Sequence, residues 1–272
     1  MKHSRGEGLK DLLNLVRLPN LLVVALTMML MRYAVIRPLL GAIQVTLAGD
    51  PVVTAAMDFR LGWFDFLILV VSTCFITAAG YVINDYFDIR ADLINRGTII
   101  VGNTITRRMA MMYHNVFNIL GVIGGTYVSA RIGYIWLGIF FVLISGLLYF
   151  YSATYKRQFL IGNIIVALLV AAVPMIVVVY DAAPVYAWYS QAALDFPGVA
   201  ILFWWVGASP CSLSLQHSSV RLSRIWKTVR ATGRREENIA CYFRAGDMQD
   251  NSGFAVRCHN CSALYCVVQV SQ

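Results

Sequence analysis

The sequence predicts an all-α fold, a polytopic bundle of transmembrane helices, on three observations. Hydrophobic residues fill 59% of the 272 positions and charged residues only 13%, roughly half the charged share of an ordinary soluble domain. The mean hydropathy is +0.66. The apolar residues come in continuous runs rather than in alternation, and hydrocarbon admits only helices or closed barrels because it cannot satisfy open backbone groups. The same numbers exclude a disordered chain. Six cysteines in a chain of this length are too few for a disulfide-stapled secreted scaffold.

A helix needs about 20 apolar residues to cross the ~30 Å hydrocarbon layer. About six such spans are recognisable, at 21–47, 62–82, 109–130, 132–153, 160–180 and 194–208. Arg32 and Arg37 interrupt the first, and the sixth is short. Basic residues fall on alternate connections: Lys2, Arg5, Lys10 and Arg17 before the first span, Arg90, Arg96, Arg107 and Arg108 after the second, Lys156 and Arg157 after the fourth. The opposite connections hold Arg60 and Arg131 with Asp50, Asp58, Asp181 and Asp195. By the positive-inside rule the N-terminus and the 83–108 segment are cytoplasmic, in an integral, multi-pass protein of the cell membrane. Residues 1–20 are too polar for a cleavable signal. Composition changes near Ala208, so residues 1–208 read as the membrane bundle and 209–272 as a polar, basic, Ser- and Cys-containing tail of low order.

Residues 84–96 read Asn-Asp-Tyr-Phe-Asp-Ile-Arg-Ala-Asp-Leu-Ile-Asn-Arg. If the second span continues as helix, Asp85, Asp88 and Asp92 share one stripe and Asn84 lies a turn before Asp88. Carboxylates so placed repel one another unless a cation sits between them. Oxygen donors alone favour Mg²⁺ or Ca²⁺, and Mg²⁺ characteristically takes one or two carboxylates, waters and a substrate phosphate. Arg96, Arg107 and Arg108 are near in sequence and suited to the remaining phosphate charge. A solvated helix end is the bland alternative. Charge clustered directly after a membrane span favours function instead.

The 84–96 stretch resembles the first aspartate-rich motif, Asn-Asp-x-x-Asp-x-x-x-Asp, of the UbiA superfamily of intramembrane prenyltransferases. Ile99-Ile100-Val101-Gly102 with Arg107-Arg108-Met109-Ala110 resembles the loop into that family's third helix. Tyr151-Ser152, Tyr155-Lys156-Arg157 and Ile161-Gly162-Asn163 resemble the segment joining its fourth and fifth helices, and Arg17-Leu18-Pro19-Asn20 the approach to its first. The resemblance covers about residues 10–208. It implies a bundle of roughly nine helices holding a polyprenyl diphosphate in an apolar tunnel. It also implies Mg²⁺ bridging the diphosphate to two aspartate-rich motifs, and transfer of the prenyl group to a membrane-associated acceptor. Carried over by motif, Asp85, Asp88 and Asp92 are the catalytic metal ligands. Asn84, Arg96, Lys156 and Arg157 bind substrate. The form of the two motifs stands closer to branches that prenylate glycerol-phosphate lipids than to the quinone branch. Expected partners are the bilayer and these two substrates, and no nucleic acid.

The family's second motif, Asp-x-x-Asp-x-x-Gly-Asp, is not found in this sequence. Reading Gln216–Thr232 out of frame permits that motif in its expected place. A different frame over Glu237–Phe243 permits Lys-Thr-Leu-Pro-Val-Ile, resembling the next family segment. The tail is therefore expected to be a frameshifted continuation from near Ala208. On that reading Cys258-x-x-Cys261 and the basic stripe Arg221, Arg224, Lys227, Arg230 are by-products rather than zinc or nucleic-acid sites. Two other functions compete: a remnant that binds without turnover, its metal site half absent, and an ion-coupled transporter. The transporter predicts carboxylates at the membrane midplane and internal repeats. Among the remaining residues, Cys74 and His114 read as packing residues and Gly121, Gly124 and Gly125 as a close helix contact. Pro174 reads as a kink, and Tyr149, Phe150 and Tyr151 as an aromatic belt or tunnel wall.

Overall fold

The computed structural model describes residues 5–47, 53–89 and 100–192. The chain divides into units Met1–Val220 and Arg221–Gln272, and every described residue belongs to the first. The sixth expected span and the tail lie outside the described residues.

Helix α1 (Arg5–Leu15) is followed by α2 (Leu18–Leu30). Arg17, between them, has φ 53°, and among the described residues no other non-glycine residue has positive φ. Pro19 sits in the first turn of α2, where a missing N–H removes no intrahelical bond. A π-helical turn, Met31–Ile36, joins α2 to α3 (Arg37–Gly41), making one apolar rod from Leu18 to Gly41. The first span was expected to reach residue 47. Instead Gln44–Leu47 (β1) pairs antiparallel with Val53–Ala56 (β2), Gln44 opposite Ala56. Val45, Thr46, Val53 and Thr54 are β-branched and fit a pleated surface better than a helix. The intervening Gly49-Asp50-Pro51 is a turn sequence.

Four long helices follow: α4 (Trp63–Phe87), α5 (Arg107–Arg131), α6 (Gly138–Ala153) and α7 (Phe159–Ala192). Among the described residues, four segments are long and apolar enough to cross a membrane: Leu18–Gly41, Trp63–Phe87, Ile135–Ala153 and Ile161–Ala192. The third expected span, α5, has the length, but Arg107, Arg108, His114, Asn115 and Asn118 make its first half polar. Leu22, Val23, Leu26, Ile123, Leu143 and Val170 are 58–64% exposed. An apolar exterior on long helices is what a lipid solvent allows.

α5 packs along α4 and α6 on its glycines. A Cβ on Gly121 would stand 2.7 Å from the Ile76 side chain and 2.9 Å from the Ser72 carbonyl; one on Gly124 would strike Ser72 Oγ, and one on Gly125 the Phe141 ring. Small residues here let the backbones close up, as the spacing predicts. Gly125→Ala is expected to destabilise the bundle by about 1–3 kcal/mol through overpacking. Gly146→Ala, which meets nothing within 4 Å, should leave the unfolding midpoint in detergent unchanged.

His114 is buried, as expected of a packing residue, and its Nδ1 donates to the Ala79 carbonyl (3.0 Å). Its Nε2 then accepts from Asn118 (3.1 Å), whose Oδ1 accepts from Ser145 (2.7 Å). The chain of bonds stitches α4, α5 and α6 together with every polar atom used. α7 runs through both Pro174 and Pro184 without ending. Asp181 was expected in a connection between spans. It lies inside α7 instead, fully buried, with Oδ1 3.6 Å from Arg32 Nη2. An opposite charge on the neighbouring rod makes that position tenable.

Candidate active site

The sequence-predicted residues meet where α4 ends. α4 stops at Phe87 with Asp88 as its C-cap, at φ −91° and ψ 3°. α4 therefore ends just before Asp88, and the stretch of the expected stripe that would reach Asp92 lies outside the described residues. Asn84 Nδ2 donates to Asp88 Oδ2 at 3.0 Å, while the Asp88 N–H bonds the Asn84 carbonyl at 3.1 Å. Carboxylates at a helix C-terminus face the negative end of its dipole, so Asp85 and Asp88 need cations supplied by other elements.

Two cations arrive from opposite sides. Arg17 Nη2 reaches Asp85 Oδ1 at 2.9 Å, and the Arg17 guanidinium lies 5.1 Å from the Tyr81 ring centroid. The left-handed backbone of Arg17, which costs on the order of 1–2 kcal/mol outside glycine, lies at the α1–α2 corner. On the other side Lys156, in the 3₁₀ turn Tyr155–Arg157 after α6, donates to Asn84 Oδ1 (3.1 Å) and pairs with Asp88. The four charged side chains stay 15–34% exposed, so the pairs are accessible and can exchange partners with a ligand. Arg107, at the start of α5, lies 4.8 Å from the Tyr86 ring, and Thr106 caps that helix by accepting from Met109 N at 3.3 Å.

This polar cluster is the mouth of a cavity of about 460 Å³, within the range of ligand pockets. Arg17, Tyr81, Asn84, Tyr151, Ser152 and Lys156 line its polar end. Val24, Ile144, Leu148, Val166, Leu169 and Val173 form apolar walls below it. Gly80 is part of the wall because a Cβ there would stand 2.9 Å from Leu148. Tyr151 thus belongs to the tunnel wall, whereas Tyr149 and Phe150 are exposed.

Of the expected site residues, Asn84, Asp85, Asp88 and Lys156 are brought together. Asp92, Arg96 and the side chain of Arg157 lie outside the described residues. Arg17 was read in the sequence as a basic flank of the first span and part of the approach to it, not as a site residue; its place on the same membrane side as Lys156 was the available signal. Among the described residues no three His, Cys, Asp or Glu side chains cluster as a metal site. The transporter expectation of midplane carboxylates is not met by Asp85 and Asp88, which sit at a helix end.

The site is a cavity with a cationic, polar end and apolar walls, set among membrane-length helices, as in proteins that take an amphiphile from the bilayer. The UbiA prenyltransferase family profile matches residues 42–220, and the chain belongs to that family. Digeranylgeranylglyceryl phosphate synthases stand among its relatives. The one from Methanothermobacter thermautotrophicus is 35% identical over 116 residues, covering 42% of this chain and 40% of the relative. The one from Hyperthermus butylicus is 32% identical over 168 residues, covering 61% and 49%. A third, from Sulfolobus acidocaldarius, is 39% identical over 108 residues, covering 37% and 34%. The matches thus span half or less of the length of these curated relatives. A solved structure of a digeranylgeranylglyceryl phosphate synthase in membranes has a similar fold, with TM-score 0.53 and 23% identity. The match covers 75% of this chain and 60% of that one.

Proposed function

We propose that this chain is an integral-membrane prenyltransferase, N-terminus cytoplasmic, moving a prenyl group from an allylic diphosphate onto a glycerophosphate lipid. The observation that carries the reading is the cavity. A mouth lined by Arg17, Asn84 and Lys156, whose two cations pair with Asp85 and Asp88 behind them, continues directly into an apolar chamber, the shape of a molecule with a charged head and a hydrocarbon tail. The relatives' names support the geranylgeranyl group and the glycerophosphate acceptor.

The donor set fits Mg²⁺: Asp85 and Asp88 offer oxygen ligands one turn apart, and Asn84 adds an amide oxygen. When bound, the metal supplies charge neutralisation on a departing diphosphate. The protein does the rest. Lys156 and Arg17, now paired with Asp88 and Asp85, exchange onto diphosphate oxygens and hold the head at the mouth. The apolar walls seat the tail and keep water from the allylic carbon as its C–O bond to diphosphate breaks. An acceptor hydroxyl forms the new C–O bond while diphosphate leaves with the electron pair of the broken one, and the hydroxyl proton passes to the released diphosphate.

The test is transfer by the purified full chain in detergent micelles, with geranylgeranyl diphosphate, a geranylgeranylglyceryl phosphate acceptor and Mg²⁺. The expected result is a doubly prenylated glycerophosphate, with Lys156→Ala raising the donor KM by about tenfold, the worth of one charge-assisted contact. Donor binding without transfer would favour the non-catalytic remnant, and neither binding nor transfer would sink the reading.

A further inference from the structure

We propose that Phe141 is the floor of the cavity and limits the length of prenyl chain the protein accepts, an inference that rests on the donor-binding reading above. Along α4 the cavity lining runs from Asn84 at the mouth down to Thr73, about 16 Å of helix at ~1.5 Å per residue. On α6 the lining runs from Ser152 through Leu148 and Ile144 to Phe141, and on α7 it reaches Ile176. Thr73, Phe141 and Ile176 are therefore the deepest lining residue of each helix, and all three are buried, Phe141 at 1% exposure.

Of the three, only Phe141 is aromatic, and its ring is held on two sides. Gly125 of α5 lies against one face so closely that any Cβ would collide with the ring. Tyr180 of α7 meets it edge-on, with centroids 6.2 Å apart and planes at 89°. Tyr180 is itself fixed, because its hydroxyl donates to Ser129 Oγ at 2.6 Å while Ser129 donates to the Gly125 carbonyl at 2.8 Å. Three helices, α5, α6 and α7, thus lock one ring at the deep end of the apolar lining. A chain terminus that reaches the ring must stop, and a longer chain must leave part of its tail unaccommodated. A methylene more or less in such a pocket is worth roughly tenfold in discrimination.

The experiment measures Kd for geranyl, farnesyl, geranylgeranyl and geranylfarnesyl diphosphates on the full chain in detergent, with intrinsic tryptophan fluorescence as readout. Wild type, Phe141→Ala and Phe141→Trp are compared, each checked for an intact unfolding transition. The expected result is a relative gain of on the order of tenfold for the longest donor in Phe141→Ala, and a shift of the optimum toward shorter donors in Phe141→Trp. Phe141→Leu, which keeps most of the volume, carries the first sign if the alanine variant does not fold. An unchanged affinity ladder in folded variants overturns the floor. If wild type binds no prenyl diphosphate better than inorganic diphosphate, the donor-binding reading itself falls, and the floor with it.

Discussion

If the proposed transfer is this chain's activity, Asp88→Asn is expected to lower it by about 10²–10³-fold, the usual loss when one preorganised electrostatic partner of a transition state is removed. Asn keeps the shape of Asp88 and a hydrogen bond to Asn84, now 3.0 Å from Asp88 Oδ2, so the fold should stand. What it loses is charge. Lys156, which pairs with Asp88 and bonds Asn84 Oδ1, would keep only neutral partners. Metal dependence separates two roles for the carboxylate. If Asp88 holds Mg²⁺, the variant needs a higher Mg²⁺ concentration for half-maximal donor binding, which isothermal titration reads without turnover. If it only positions Lys156, the Mg²⁺ requirement stays put and donor affinity alone changes.

The second large effect is expected far from the mouth. Arg32 and Asp181 are 3% and 0% exposed at the side chain and 3.6 Å apart. The Arg32 guanidinium also donates to the Leu61 carbonyl at 2.6 Å and lies 4.3 Å and 4.5 Å from the rings of Phe66 and Phe59. Arg32→Met should destabilise the bundle by ~3–5 kcal/mol, because a carboxylate is left buried opposite a thioether. The double variant Arg32→Met, Asp181→Leu should recover most of that loss, since neither charge then needs desolvating. Unfolding in a detergent series checks both. Equal midpoints for single and double variants would show that the two charges are not coupled.

Much of the bundle was legible because its signal is local. Continuous apolar runs mark membrane helices wherever they occur, and the runs at 62–82, 132–153 and 160–180 are helices here. The Asn84-Asp85-x-x-Asp88 spacing was legible for the same reason, since one helical turn brings those positions together whatever surrounds them. The hairpin at Gln44–Leu47 and Val53–Ala56 was hidden by its own hydrophobicity. Short apolar β-branched segments look like the end of a span until the Gly-Asp-Pro between them is weighed. Asp181 was misplaced because an acidic residue directly after an apolar run of spanning length suggests a boundary, and only a partner on another helix overrides that suggestion.

The sequence by itself determined the class of solvent, the helical architecture and the carboxylate motif, since each depends on residues within a turn or a span of one another. Tertiary structure alone decided which cations neutralise that motif: Arg17 lies 68 residues from Asp85 and Lys156 lies 68 from Asp88. It also decided that Arg32 answers Asp181, and that Phe141 of the cavity lining packs against Gly125 and Tyr180. Charge pairing and cavity shape depend on distances between helices. Those distances are set by how small residues such as Gly121, Gly124 and Gly125 let the backbones approach; the glycine spacing marks a close contact, but not that Ser72, Ile76 and Phe141 are what fills it.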